Sequence, residues 1–287
     1  MSRRSVVGLA RVAHTSFAVA TDKNRPSAVP FASSPRSSDP ANAGPRTEGD
    51  ATVTRPMTRT AVIAGVGPGL GESLARKFVA EGCRVGLFAR SADYLEDLAD
   101  DLGDDAVAVP TDITDPEQVE AGFRAVRDAF GPVDVLVNHA SGGSWQGLRE
   151  ITPEEFERAW RVSAAGALLC SQAAVDDMLA GDGGTIVFTG ATSAVRGREG
   201  AIGFSAAKFA VRGMAESMAR ELGPEGIHVA HVVIDGGIRP PDVDESDRDA
   251  AAYLDPDAIA DSYWHLVTQD RSSWTLELDL RPHVEEF

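Results

Sequence analysis

Three glycines near residue 70 have the type and spacing to bind a phosphate group. Gly65, Gly69 and Gly71 lie in the stretch TAVIAGVGPGLGESLARKF, between a short apolar run and a segment with helical apolar spacing. Glycine lacks a Cβ atom, so the first amides of the helix can face a pyrophosphate without an intervening side chain. The predicted phosphate-binding residues are Gly65, Gly67, Gly69, Leu70 and Gly71. A strand-to-helix turn without a nucleotide is the alternative, because one glycine-rich turn is weak evidence by itself.

Alternating strands and helices must position this turn. From residue 57 onward, short apolar runs alternate with segments of helical periodicity, as is typical of a parallel sheet covered on both faces. The predicted strands are 61–64, 84–89, 106–109, 133–137, 184–189, 228–234 and 274–280. The predicted helices begin at residue 70 and continue with 94–102, 116–130, 153–178, 205–222 and 258–267. We therefore predict the α/β class, with one doubly wound parallel sheet of the Rossmann type in a single domain.

The composition excludes several classes of protein. The chain has 287 residues and 43 % hydrophobic content, and no apolar run approaches the roughly 18 to 20 residues of a membrane span. A formal net charge of −17 argues against nucleic acid as a partner. Cys83 and Cys170 are too few for a disulfide framework or a cysteine metal site, and we expect core thiols in a cytoplasmic protein. We also expect no zinc at His228 and His231, because strand residues three apart point to opposite faces.

The acidic residues are concentrated in the predicted domain. Residues 1–56 carry eight bases and four acids, which leaves 19 bases and 40 acids, a net charge of −21, for residues 57–287. Only Lys23, Lys77 and Lys208 are lysines, and the other 24 bases are arginines. This composition resembles that of proteins from extreme halophiles, and an ordinary acidic enzyme is the alternative.

The first 56 residues differ from the rest of the chain. They are rich in Ser, Pro, Ala and Arg and show little apolar periodicity, so we predict a disordered segment before a domain spanning 57–287. Arg3 and Arg4 followed by Val6 and Val7 resemble a twin-arginine export signal. Arg11, however, interrupts the apolar run that such a signal needs. A flexible tail or an over-long start before Met57 therefore remains the prediction.

Four phrases, in order, resemble the short-chain dehydrogenase/reductase family across nearly all of residues 58–240. They are AGVGPGLG, TDITD, NHAS at 138–141, where the family usually has Asn-Asn-Ala-Gly, and FSAAKFAVRGMAESMARELGPEGIHV. The resemblance implies a nicotinamide cofactor, a small-molecule substrate and an assembly of two or four copies. It also implies that Asp112 and Ile113 hold the adenine, and that Asn138 and Ala140 lie beside the cofactor.

Arg90 bears on the choice of cofactor. In a Rossmann fold the second strand brings the adenosine ribose close, and an Asp at its end repels a 2′-phosphate. Here Ala89 is followed by Arg90, whose guanidinium suits the phosphate of NADP(H). We therefore predict NADP rather than NAD, with an exposed Arg90 of no cofactor preference as the alternative.

The catalytic positions depart from the pattern that the resemblance implies. The family usually uses Asn, Ser, Tyr and Lys, with the Lys four residues after the Tyr. Lys208 is present, but the Tyr position is Phe204, the Ser position falls on Ala191 and the Asn position on Ser163. A cofactor site is therefore expected without the usual acid, and Lys208 is expected to hold the nicotinamide ribose.

Another group must supply the missing acid if the protein is an enzyme. Ser193 and Ser205 are the predicted surrogate donors, with Thr192, His139 and a bound water as further candidates. Ser205 precedes Lys208 by three residues, although an ordinary first-turn helix residue is its alternative role. Trp145, Tyr263 and Trp264 are candidates to line the substrate pocket or to pack in the core, and 239–253 stand where the family carries its substrate lid.

The sequence therefore predicts an NADP(H)-dependent oxidoreductase acting on a small carbonyl or alcohol at a non-standard site. A dinucleotide-binding protein that acts as a sensor or scaffold is the main alternative. An isomerase or dehydratase that uses the cofactor without net oxidation is a weaker one.

Overall fold

A computed structural model describes residues 58–285 apart from 144, 242 and 244–249. The strands are β1 (Thr60–Ala64), β2 (Arg84–Ala89), β3 (Ala106–Pro110), β4 (Val135–Asn138), β5 (Gly184–Thr189), β6 (Ile227–Ile234), β7 (Gly237–Ile238), β8 (Tyr253–Leu254) and β9 (Glu277–Leu280). The helices are α1 (Leu70–Ala80), α2 (Ala92–Leu102), α3 (Pro116–Phe130), α4 (Pro153–Trp160), α5 (Gly166–Ala180), α6 (Ile202–Leu222) and α7 (Pro256–Val267).

Seven strands form one parallel sheet in the order β3-β2-β1-β4-β5-β6-β9. The order reverses between β1 and β4, and in folds of this kind ligands bind at the carboxyl ends of the strands near that point. The predicted fold class, a doubly wound parallel sheet, is confirmed. All of the predicted strands occur, and so do the predicted helices other than 153–178, with boundaries that differ by up to three residues.

Two apolar layers hold the helices on the sheet. One contains Leu74 and Phe78 of α1, with Tyr263 and Leu266 of α7, on one face. The other contains residues of α3, α5 and α6, such as Phe123, on the opposite face. A strand buried on both faces needs apolar residues at every position, which explains why the strands read as continuous apolar runs.

Side-chain caps begin two helices close to where the sequence predicts them. The Asp115 carboxylate accepts from the Glu117 and Gln118 backbone amides at the start of α3. At α4 the Thr152 hydroxyl accepts from the Glu155 amide, and the Glu155 carboxylate accepts from the Thr152 amide. Each of these bonds satisfies a helix-end amide that has no partner within the helix.

The predicted helix 153–178 is not one regular helix. Between α4 and α5 the backbone forms a π-helical segment, Arg161–Ala165, which contains Ser163. Segments of this kind are rare in proteins, and those that occur are often at functional sites. The apolar spacing gives no sign of it, because one wide turn shifts the register without changing which residues are apolar.

Two predictions concern residues that the structure describes only in part or not at all. The disordered segment predicted for 1–56 lies outside the described residues, and so do residues 242 and 244–249 of the predicted lid at 239–253. Within the lid, the Arg239 amide donates to the Leu254 carbonyl at 2.8 Å, and β7 pairs with β8. No helix among the described residues is both long and apolar enough to cross a membrane.

Candidate active site

The glycine turn joins β1 to α1 in an open arrangement. Gly65 and Gly69 have φ values of 114° and 95°, which side chains with a Cβ rarely adopt. A Cβ added at Gly67 or Gly69 would meet nothing within 4 Å, whereas one at Gly71 would lie 2.8 Å from the Gly65 carbonyl oxygen. Gly71 therefore permits the close turn, and Gly67 and Gly69 leave free space at the start of α1.

Neighbouring strands hold this turn on both sides. The amides of Gly65 and Val66 both donate to the Phe88 carbonyl near the end of β2, each at 2.9 Å. A Cβ at Gly65 would overlap the Ala140 backbone, which follows β4. Ala140 in turn donates its amide to the Ala64 carbonyl at 2.7 Å. The turn therefore lies between the ends of β2 and β4.

The residues predicted for the adenosine lie at the ends of β2 and β3. Arg90 is exposed directly after β2 and forms no ion pair with any described residue. One Asp112 carboxylate oxygen accepts from the Thr114 amide and hydroxyl at 3.0 and 2.8 Å, so Asp112 makes a local turn. Ile113 is buried against Gly166, where an added Cβ would lie 2.7 Å from the Ile113 Cδ1 atom.

Asn138 ends β4 and is buried. Its side-chain amide donates to the Ser171 hydroxyl of α5 at 3.1 Å. Its Oδ1 atom is buried and has no hydrogen-bond partner among the described residues. Asn138 thus links the sheet to a helix and retains an acceptor that a bound water or ligand can satisfy.

A cavity of about 690 Å³ opens at the carboxyl ends of β4, β5 and β6. Its walls include His139, Ser141, Trp145, Thr189, Ala191, Ser193, Phe204, Lys208, Gly236 and Ile238. The volume is within the range of small-molecule binding sites. A second cavity, of about 520 Å³, lies beside Gly69 and is also lined by Ser73 and Arg239.

Lys208 brings a buried ammonium group to the main cavity. It is 3 % exposed, and its Nζ atom donates to the Thr189 carbonyl at the end of β5 at 2.8 Å. Burial lowers the pKa of Lys208 from 10.5 to about 8. At pH 7 the group is therefore still largely charged, with two N–H bonds left for other acceptors.

Two apolar residues occupy the positions of the expected acid and hydroxyl. The Lys208 Nζ atom lies 5.6 Å from the Phe204 ring centroid, one helical turn away on α6. The Trp145 ring covers Phe204 at a centroid distance of 5.1 Å, and the Arg198 guanidinium lies 5.9 Å from the Trp145 centroid. Ala191, in extended backbone, also lines the cavity. Trp264, a candidate to line the pocket or to pack in the core, packs on Phe78 in the core.

The candidate hydroxyl donors have different surroundings. The Ser193 Oγ atom is buried without a partner among the described residues, although the residue lines the cavity. Ser205, in the first turn of α6, accepts from the Arg198 amide at 3.2 Å and is not among the described residues that line the cavity. Ser163 accepts from the Gly142 amide at 3.0 Å. The structure therefore brings Ser193, but not Ser205, to the cavity beside Lys208.

Two features near the cavity could not be predicted from the sequence. The buried Asp235, in the altered turn after β6, accepts from the Thr192 hydroxyl at 2.6 Å and lies 3.3 Å from Arg196 and 3.6 Å from Arg281. Thr192 is therefore already committed as a donor. The second feature is a set of hydrogen bonds around Thr189, which links His139 at 3.2 Å to residue 263 of α7.

The two histidines of β6, His228 and His231, contact different partners. His228 stacks on Trp274 with centroids 4.9 Å apart, and its two ring nitrogens lie 3.1 and 2.9 Å from backbone carbonyls. The His231 Nδ1 atom lies 3.0 Å from the Glu277 carboxylate. Within the described ranges, no three His, Cys, Asp or Glu side chains form a group that could hold a metal ion.

The family model described as short chain dehydrogenase matches residues 59–250. The chain belongs to this family. The resemblance seen in the sequence is therefore confirmed, and with it the membership of an oxidoreductase family.

Proteins similar to this short-chain dehydrogenase come from several organisms. An uncharacterized oxidoreductase of Staphylococcus aureus (strain N315) is 29 % identical over 228 residues, which are 78 % of this chain and 97 % of the relative. The short-chain dehydrogenase of Rhodopseudomonas palustris has a solved structure that matches with a TM-score of 0.69 and 32 % identity, covering 78 % of this chain and 99 % of the other. A 3-ketoacyl-(acyl-carrier-protein) reductase of Brucella melitensis, solved with NADH, matches with a TM-score of 0.71 and 29 % identity over 78 % and 97 % of the two chains.

Proposed function

We propose that this short-chain dehydrogenase is an NADP(H)-dependent oxidoreductase that acts on a small carbonyl or alcohol at a non-standard site. The observation that carries the proposal is the position of Lys208. Its buried ammonium lines a cavity at the carboxyl ends of the strands, and the glycine turn is joined to the same region through Ala140. A buried cation facing a cavity is costly unless it has a partner there, and a ribose hydroxyl provides one.

The described residues fit a nicotinamide dinucleotide. Free space in front of Gly67 and Gly69 accepts a pyrophosphate at the start of α1, where the helix dipole favours negative charge. The unpartnered Oδ1 atom of Asn138 can accept a hydrogen bond from a group beside β4. Lys208 would hold the nicotinamide ribose. When bound, such a cofactor delivers a hydride to a carbonyl carbon or accepts one from an alcohol.

The preference for NADP(H) rests on Arg90. Its guanidinium is exposed at the end of β2, two residues after the Phe88 carbonyl that anchors the glycine turn, and it has no ion-pair partner among the described residues. A charge-assisted pair with a 2′-phosphate is worth about 1.5 to 3 kcal/mol, or roughly 10- to 150-fold in affinity. An adenosine without that phosphate gains nothing from Arg90.

Cofactor titration of the Arg90→Ala variant tests this preference. NADPH should bind the parent more tightly than NADH, and Arg90→Ala should remove most of the difference. Arg84→Ala is the matched control, because Arg84 is an exposed arginine at the opposite end of the same strand. Equal affinities of the parent for the two cofactors would overturn the preference. The titration belongs in the salt at which the protein is folded, because salt screens exposed pairs.

A carbonyl panel with NADPH tests the enzymatic part of the proposal. We expect turnover of at least one small ketone or aldehyde, and loss of tight NADPH binding in Lys208→Met. Lys77→Met is the control, since Lys77 is an ion-paired lysine on the surface of α1. NADPH binding without turnover of any substrate would favour the sensor or scaffold instead.

We also propose that the protein assembles as a homodimer or homotetramer through α4, α5 and α6. Large apolar side chains on these helices are exposed, including Trp160 (46 %), Leu168 (38 %) and Phe209 (45 %). Contiguous exposed apolar side chains are typical of surfaces that bind another protein, and the proposal is that these three side chains form such a surface. Sedimentation analysis should find a dimer or larger species that Leu168→Glu dissociates, whereas Leu148→Glu, in an exposed loop, should not. A monomeric parent would refute this assembly.

A further inference from the structure

A directed series of hydrogen bonds leads from α7 to the cavity. The Tyr263 hydroxyl is fully buried, and its hydrogen-bond partner among the described residues is the Thr189 hydroxyl at 2.8 Å. The Thr189 Oγ1 atom also lies 3.2 Å from the Nδ1 atom of His139. Thr189 is therefore in contact with two polar side chains, from α7 and from the residue after β4.

The bonding capacity of each group fixes the direction of the series. A buried phenol hydrogen without an acceptor is unfavourable, so Tyr263 donates to Thr189. The Thr189 hydroxyl has one hydrogen, and with Tyr263 already donating to it, that hydrogen goes to His139 Nδ1. Nδ1 is then an acceptor. In a neutral imidazole the proton must therefore be on Nε2.

The Nε2 atom lies on the side of the ring away from Thr189, which Nδ1 contacts. His139 is one of the residues that line the cavity, and Nε2 has no hydrogen-bond partner among the described residues and is not sealed from water. Burial, and secondly the charge of Lys208, lowers the pKa of His139 from 6.5 to about 4. The ring is therefore neutral at pH 7, and it presents one fixed N–H donor to the cavity.

The other candidate donors are less available. The Thr192 hydroxyl is committed to Asp235 at 2.6 Å, and the Ser193 Oγ atom is buried away from solvent. Ser205 lies outside the described lining of the cavity. Phe204 and Ala191 have no donor at all. Among the candidate donors named from the sequence, His139 is thus the one that lines the cavity with a free hydrogen whose position its own hydrogen bonds fix.

We propose that the Nε2–H group of His139 donates a hydrogen bond to the substrate oxygen, and that Thr189 and Tyr263 fix the tautomer that makes this possible. His139 is the catalytic residue in this assignment, and Thr189 and Tyr263 are positioning residues. The inference rests on the proposed oxidoreductase function, because it names the group that replaces the missing phenol.

The chemistry requires a donor but not a strong acid. As a carbonyl carbon is reduced, its C=O π pair moves to the oxygen, which becomes negatively charged. A neutral imidazole N–H stabilises that charge by a hydrogen bond and keeps its own proton. A water molecule from the open cavity then protonates the oxygen and leaves as hydroxide. A buried Tyr263 phenolate is not formed, and burial raises the pKa of this phenol well above its usual value.

The tautomer can be measured without turnover. Nitrogen-15 NMR of the labelled full-length protein distinguishes a protonated from an unprotonated ring nitrogen, and the His139→Gln variant assigns the signals. We expect His139 to be neutral with its proton on Nε2 from pH 5.5 to 8, and Thr189→Val to add the other tautomer. Thr185→Val, at a buried threonine of the same strand, should leave the spectrum unchanged. A proton on Nδ1, or a charged ring at pH 6.5, would overturn the inference.

Kinetics test the catalytic assignment separately. His139→Phe should lower kcat by about 10²- to 10³-fold, the loss expected of one hydrogen-bond donor to a developing oxyanion, with NADPH affinity within about two-fold of the parent. His139→Gln, which retains an N–H donor, should recover part of the rate, and His265→Gln, on the surface of α7, is the control. Turnover by the parent together with an unchanged kcat in His139→Phe refutes the role of His139. Absence of turnover by the parent refutes the oxidoreductase proposal and, with it, the catalytic assignment.

Discussion

Restoring the two missing hydroxyls should raise carbonyl reduction by this protein. The double variant Ala191→Ser with Phe204→Tyr places a phenol four residues before Lys208 and a serine after β5. Both positions line the cavity, and Ala191 has an extended backbone (φ −162°) that any residue adopts. Phe204 is partly exposed, so a hydroxyl on its ring can reach water or the cavity without being buried unpaired.

The size of the gain follows from the surroundings of the phenol. A positioned acid contributes about 10² to 10⁴-fold, or about 3 to 5 kcal/mol of barrier. Lys208 lies 5.6 Å from the Phe204 ring centroid, close enough to favour the ionised phenol. Trp145 covers part of the ring, and the Ser163 hydroxyl is already used by the Gly142 amide. We therefore expect a gain of about ten-fold or more, which is less than a fully positioned acid contributes.

The assay is NADPH oxidation with a panel of small activated ketones and aldehydes. The matched control is Phe209→Tyr, because Phe209 is an exposed phenylalanine of the same helix and is not among the described residues that line the cavity. If His139 supplies the donor in the parent, His139→Phe should cost less in the restored variant, since the phenol then serves the same oxygen.

The absence of a gain in the double variant would contradict this prediction. Suppose that the double variant folds and binds NADPH like the parent, yet shows no gain on any carbonyl of a broad panel. The space beside Phe204 then does not receive a carbonyl oxygen, and the oxidoreductase proposal gives way to a binding role.

Three further predictions concern stability and the glycine turn. Gly65→Ala should destabilise the protein by about 2 to 5 kcal/mol, because φ is 114° and the new Cβ would overlap Ala140. Gly67→Ala should leave thermal unfolding unchanged and weaken NADPH binding. Equal melting temperatures of the two variants would contradict the predicted destabilisation by Gly65→Ala. Lowering the pH from 7.5 to 5.5 should reduce the free energy of unfolding. The pKa of His139 is about 4 in the folded protein and 6.5 ordinarily, so the unfolded chain binds more protons than the folded one in this interval. In urea titrations, His139→Gln should remove about 1 kcal/mol of this pH dependence, and an unaltered dependence would count against a buried neutral ring. Deleting residues 1–56 should leave the melting temperature nearly unchanged, and a large loss would show that the segment joins the core.

The fold and the family are determined by features that are local in the sequence. The glycine turn, the apolar runs of the strands and the helical spacing each involve residues within about 20 positions of one another. The predicted elements therefore occur where periodicity and turn residues indicate them. The absence of the usual Tyr and Ser is also a property of the sequence alone, because it depends on the offset from Phe204 to Lys208 and on the strand before Ala191.

The surroundings of the candidate donors were decided by tertiary structure. His139 and Thr189 are 50 residues apart, and Thr189 and Tyr263 are 74 apart, so no local pattern reports that they meet. The same holds for Asp235, which contacts Thr192 from a distance of 43 residues. Ser205 and Ser193 look alike in the sequence, but helix α6 turns one toward the Arg198 amide while the turn after β5 brings the other to the cavity.

The sheet, the glycine turn and the loss of the phenol can thus be predicted from the sequence, because strand and helix formation depend on short-range periodicity. Which polar hydrogens remain free in the cavity depends on the tertiary structure. A hydrogen bond depends on the position of both partners to within a few tenths of an ångström. The packing of α7 and β5 sets those positions for His139, and neither element carries a sign of it in its own residues.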